Sequence, residues 1–78
     1  MRNKRSELTR KFGLKIKIER TKRHLSQDYL AELAGLNIKT ISDIENGLSA
    51  PSIETANDIA KALNIPLKEL IDIENVTL

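Results

Sequence analysis

Lys39, Ser42, Asp43 and Asn46 stand three or four residues apart, the spacing that gathers side chains on one face of a helix. At about 100° per residue, Lys39, Asp43 and Asn46 lie opposite Ile41, with Ser42 at the edge of that face. An ammonium, a carboxylate, a hydroxyl and an amide on one face make a hydrogen-bonding set. Lys donates to guanine O6 or N7, a carboxylate accepts from cytosine N4, and a hydroxyl does either. Ile38, in the first turn, offers apolar contact to a thymine methyl. Any amphipathic helix turns polar residues outward, so the set gains meaning only from its setting.

Other chemistry is sparse. The single His, His24, stands beside Lys22 and Arg23 and is read as solvated or phosphate-facing. No Cys is present, no nucleophile has a partner base, and no Gly-rich phosphate loop occurs. The scattered Ser and Asp residues are explained as helix caps. The expectation is a protein that is not an enzyme and uses no metal, cofactor or small-molecule ligand.

The elements that must position the polar face lie between Leu25 and Gly47. Ser26 reads as an N-cap, with Gln27 and Asp28 in a first turn that suits acidic charge. Leu30, Ala31 and Ala34 form an inward stripe, and Gly35 ends the helix. Asn37 caps a second helix with Ile41 and Ile44 inward and Glu45 beside them, closed by Gly47. Two short capped helices joined by a Gly-containing turn are the sequence form of a helix-turn-helix. That motif sets its second helix in the major groove of DNA.

Around this pair the chain reads as helical throughout. Phe12, Leu14, Ile16 and Ile18 alternate like a strand, but Leu8, Phe12 and Ile16 also recur every four residues. Good helix formers flank them, which favours a helix over about residues 7–22, capped by Ser6, with Gly13 as a weak point. Ser52 caps a helix through Leu63 that turns Ile53, Ala56, Ile59, Ala60 and Leu63 to one face. Asn64 and Pro66 bracket a turn, and a short helix runs from Leu67 to about Asp72. The expected fold is all-α: a compact five-helix domain over residues 6–72, preceded by a mobile arm (1–5) and followed by a tail (73–78).

Seventy-eight residues make one small domain. Its core must come from aliphatic side chains, helped by a partner subunit, since no disulfide or thiolate metal site is available. No apolar run approaches a membrane span, and the basic start lacks the apolar stretch of a secretory signal, so a cytoplasmic protein is expected. The net charge of +2 conceals an asymmetry. Met1–His24 carries ten Lys or Arg against two Glu (10 − 2 = +8), and Leu25–Leu78 carries three Lys against nine Asp or Glu (3 − 9 = −6). A basic end suits an anionic partner, with nucleic acid the first candidate.

Together these residues resemble the phage-repressor and Cro type of helix-turn-helix regulators, the XRE family, with its lambda-repressor-like fold. The likeness runs from Phe12-Gly13 through Ile16, Arg20, Leu25-Ser26-Gln27, Leu30-Ala31, Ala34-Gly35, Thr40-Ile41 and Ile44-Glu45-Asn46-Gly47 to Pro51-Ser52, Ile59-Ala60 and Ala62-Leu63. Length and the residues from Leu30 to Leu36 are also similar to restriction–modification controller proteins. The resemblance implies double-stranded DNA as partner. It implies a backbone-contacting role for Gln27, base-facing positions at Asn37, Ile38, Lys39 and Asp43, and a phosphate contact at Asn46. It also implies a salt bridge between Arg20 and Glu45 that ties the first helix to the third. The chain departs from the family in three places: Lys39 is the only cation of the third helix, the loop Leu48–Pro51 has none, and Glu19 fills a commonly apolar position. Cations earlier in the chain are expected to compensate: Arg2, Lys4 and Arg5 of the arm, and Lys17 of the first helix.

Leu67, Leu70, Ile71, Ile73, Val76 and Leu78 are many apolar residues for the end of a small domain. Leu67, Leu70 and Ile71 are expected to close the core. Leu67, Ile71, Ile73 and Val76 are also the expected contact of a homodimer, which would present two recognition helices about 34 Å apart to a palindromic site. A repressor or autoregulator of that kind is one reading. The other is a protein-interaction module, an antitoxin-like partner whose acidic body binds a basic protein. Binding to random duplex DNA that weakens steeply with salt separates the two.

Overall fold

The computed structural model describes residues 6–78 of the chain. The arm reading of residues 1–5, with Arg2, Lys4 and Arg5, lies outside that span. Five helices follow one another: α1 (Ser6–Lys22), α2 (Gln27–Ala34), α3 (Ile38–Glu45), α4 (Ile53–Leu63) and α5 (Leu67–Leu70). α1 packs on α3 and α5, α2 on α3 and α4, and α4 on α5.

Local chemistry sets the helix ends. Ser26 Oγ accepts from the Tyr29 amide (3.0 Å), Asn37 Oδ1 from the Thr40 amide (2.9 Å) and Ser52 Oγ from the Thr55 amide (3.1 Å). Each cap satisfies a backbone donor that the first helical turn leaves without a partner. The C-terminal ends of α1 to α4 share one device. His24, Gly35, Gly47 and Asn64 all adopt left-handed φ, between 59° and 73°. The next residue then donates to the carbonyl five residues earlier: Leu25 to Arg20 O, Leu36 to Ala31 O, Leu48 to Asp43 O and Ile65 to Ala60 O. These are Schellman closures, each with an apolar residue following the left-handed one.

The core is aliphatic. Ile16, Leu30, Ile41, Ile44, Ile59, Leu63 and Leu70 are fully buried, each worth about 1.5–3 kcal/mol against exposure. Phe12, Leu25, Ala34, Leu36, Ala62, Ile65 and Leu67 pack against this cluster.

Several expectations are corrected. The alternating segment of α1 is helical: Ile16 is buried and Ile18 is exposed, so period 3.6 wins over period 2. α1 includes Ser6 rather than starting after it. Gly13 is a close contact between α1 and α3, not a weak point, because a Cβ there would meet the carbonyl oxygen of Ile44. Ile53, the first residue of α4, is exposed although its register matches the inward face. α5 ends at Leu70, where the amides of Ile71 and Asp72 bond to Leu67 O and Glu69 O. Val76 is buried within its own chain and Leu67 packs on its own core, which leaves Ile71 and Ile73 as the expected dimer residues that present surface.

Candidate nucleic-acid interface

Three hydrogen bonds to Glu45 fix the orientation of α3. The Arg20 guanidinium grips Glu45, with Nε donating to Oε2 (2.7 Å) and Nη2 to Oε1 (3.0 Å). Its Nη1 donates to the carbonyl of Leu25 (2.7 Å), in the turn that leads into α2. Gln27 Nε2 donates to Glu45 Oε1 at 2.9 Å. Glu45 therefore receives donors from α1 and α2 while its side chain is only 1% exposed. A bidentate fork has little rotational freedom, so this network sets the azimuth of α3 as well as its distance. The bond to Glu45 holds the Arg20 guanidinium above its ordinary pKa, outweighing burial.

With its buried side fixed, α3 turns the remaining side chains outward. Asn37, Ile38, Lys39 and Asn46 are exposed, and Ser42 and Asp43 are half-buried. Lys39 Nζ lies 3.1 Å from Asp43 Oδ2, and Asn46 Nδ2 reaches Ser42 Oγ at 3.4 Å. The only cation and the only carboxylate on this face thus neutralise one another. Gln27 stands apart from this set, with its amide turned to Glu45, and Lys17 is exposed on α1.

The cations of α1 and the turn after it divide into two groups. Glu19, 3% exposed, collects three of them: Arg23 at 2.8 Å, Lys15 at 3.4 Å and Lys22 at 3.4 Å. Burial alone would raise the Glu19 pKa. The Arg23 hydrogen bond and the charges of Lys22 and Lys15 outweigh it, and the carboxyl lies below its ordinary value. A carboxylate is accommodated at a commonly apolar position because its partners come from α1 and its closing turn, at i+3 and i±4. Arg20 is committed to Glu45. Among the described residues, Arg10, Lys11 and Lys17 are the α1 cations that form no ion pair.

Arg10 was not among the residues expected at the interface. It lies against the C-terminal end of α3 and lines an open recess with Leu14, Glu45, Asn46, Gly47 and Leu78. The only sequence signal for it is its position three residues before Gly13, which acquires meaning once Gly13 is seen to face α3. A second, more apolar recess is lined by Leu8, Phe12, Ala50, Pro51, Ile71 and Ile73.

A capped recognition helix, clamped from behind by the helices on either side and presenting a polar outer face, defines a helix-turn-helix domain. The chain belongs to the helix-turn-helix family HTH_3, the XRE family of transcriptional regulators, whose model matches residues 16–70. It is 39% identical over 61 residues to the ImmF control region 10 kDa protein of Bacillus phage phi105, across 78% of this chain and 68% of that protein. It is similar in structure to the restriction-modification controller protein C.AhdI from Aeromonas hydrophila (TM-score 0.78, 36% identity, 82% of this chain and 96% of that one). It is also similar to SinR, the master regulator for biofilm formation, in a crystal structure with DNA (TM-score 0.74, 32% identity, 78% of this chain and 98% of that one).

Proposed function

We propose that the protein is a sequence-specific transcriptional regulator that binds double-stranded DNA as a homodimer and represses or autoregulates from a palindromic operator. The observation that carries this reading is the fixed outward face of α3, held by Arg20, Gln27 and Glu45 on one side and free on the other. Its relatives point the same way: one is a phage control-region protein and another is solved with DNA. In this reading Asn37, Ile38, Lys39, Ser42 and Asp43 face base edges, and Gln27 and Asn46 face the backbone. Lys17, with Arg2, Lys4 and Arg5, supplies positive charge. The work is done in the cytoplasm, on the cell's own DNA or that of a mobile element.

The dimer forms through the apolar recess, with Ile71 and Ile73 at its edge. Two α3 helices about 34 Å apart then meet successive major grooves. Selection of bound duplexes from a random library is the test. Two inverted half-sites about one helical turn apart are expected, with affinity falling steeply as salt rises. Unselective recovery, or no binding at low salt, rejects the reading. Sedimentation showing a monomer at micromolar concentration rejects the dimer alone. Removal of residues 1–5 flattens the salt dependence if the arm contributes, and an unchanged slope rejects that part.

A further inference from the structure

Phosphate contacts dominate the affinity of DNA-binding proteins, and each requires a cation or donor free to take it. This chain has fewer such cations than its count of 13 Lys and Arg suggests. Lys15, Lys22 and Arg23 are drawn onto Glu19, Arg20 onto Glu45 and Lys39 onto Asp43. The loop after α3, Leu48–Pro51, carries none. Among the residues of α3 and the loop after it, the C-terminal end of the helix would thus meet the backbone with the Asn46 amide alone.

Arg10 stands at that place. Its aliphatic stem covers Gly47, where a Cβ would come within 2.9 Å of Arg10 Cγ, and it shares an open recess with Asn46. It is exposed and, among the described residues, forms no ion pair. Lys17 follows seven residues later, two turns along the same flank of α1, and Gly13 between them fixes that flank against α3.

We infer that Arg10 is a phosphate-binding residue. Seated beside Asn46 and Gly47 at the end of the recognition helix, it grips the DNA backbone and replaces the cation missing from the following loop. Gly47 is part of the device: its left-handed backbone ends α3, and its lack of a side chain admits the Arg10 stem. The inference rests on the DNA-binding reading above.

The test compares free with committed cations by titrating salt from 50 to 200 mM against a selected duplex and a random one. Arg10→Gln keeps the stem over Gly47 and removes the charge. It lowers the slope of log affinity on log salt by about 0.9 per bound subunit, so the loss at 50 mM exceeds that at 200 mM about threefold per subunit. Both duplexes are weakened alike, Arg10→Lys restores the slope, and thermal unfolding stays at the wild-type midpoint. Arg23→Gln, whose charge is held by Glu19, leaves the slope as it was. Wild-type binding with an unchanged slope in Arg10→Gln overturns the inference and leaves the DNA reading standing. So does an equal loss of slope in Arg23→Gln, which would mean that only the summed charge matters. If the wild-type protein binds no duplex at 50 mM salt, the DNA reading falls and the inference with it.

Discussion

Gly13 of α1 lies directly against the carbonyl oxygen of Ile44 in α3, so a Cβ at position 13 has no room beside that backbone. Ala is the better helix former by about 1 kcal/mol, and in an isolated helix Gly13→Ala would stabilise. Here α1 and α3 must move apart, at a cost of about 1–3 kcal/mol or more. The variant is expected to unfold at lower denaturant and to bind DNA more weakly than its stability loss explains, because Arg20 no longer meets Glu45 squarely. A midpoint at or above wild type rejects this account of Gly13.

The Arg20–Glu45 pair has a different weight. Glu45 is nearly enclosed, so Arg20→Ala strands a carboxylate with only Gln27 to satisfy it. The expected cost is about 3–5 kcal/mol. Arg20→Lys recovers only part, since a single ammonium cannot make the fork to both oxygens and also reach Leu25 O. Denaturant midpoints decide it, and an unchanged midpoint in Arg20→Ala shows the pair to be ornamental.

Glu19 gives an acid limb to stability. Its folded pKa lies below the ordinary 4.5, so the charged form is favoured in the native state. Its contribution is complete above the ordinary value and is lost as pH falls through the lower, folded value. Glu19→Leu should flatten this part of the pH profile. Near neutral pH the substitution is expected to be neutral or stabilising by about 1–4 kcal/mol, as is common when well-packed apolar residues replace buried ion pairs. Urea unfolding at neutral and acidic pH tests both statements. A large loss at neutral pH would mean that Glu19 organises Arg23, Lys15 and Lys22 rather than merely tolerating burial.

Residues 25–47 were legible because capping is local chemistry: Ser26, Asn37, Gly35 and Gly47 act within four residues of themselves. The left-handed closures at His24 and Asn64 use residues that also fit elsewhere, and the sequence marks them only through the apolar Leu25 and Ile65 that follow. α1 was ambiguous because both periods fit its apolar residues, and contact with α3 and α5 chooses between them. Gly13 looked like a flaw because its partner is a backbone carbonyl 31 residues away. Val76 read as tail because the apolar residues there are spaced too irregularly for one helix to bury, yet it is buried. The polar face of α3 was legible from spacing. Arg10 was not, since what places it is the stem-on-glycine contact with Gly47.

Asp43 bears on how the proposed reader balances affinity against selectivity. Its carboxylate holds the Lys39 ammonium at 3.1 Å on a surface where Lys39 is 80% exposed. Such an exposed pair contributes about 0–1 kcal/mol to folding, so Asp43→Ala leaves stability nearly unchanged. Its effect on binding is larger. The substitution removes a negative charge from the face that meets DNA and frees the Lys39 charge to act on the duplex. Affinity for random duplex rises, and the salt slope steepens by up to about 0.9 per subunit. If Asp43 accepts from a base edge, discrimination at that base pair falls by about 1–3 kcal/mol at the same time. Tighter binding to random DNA with weaker preference for the selected site is the expected signature. Unchanged selectivity together with an unchanged slope would remove Asp43 and Lys39 from the reading face and leave sequence choice to Asn37, Ile38 and Ser42.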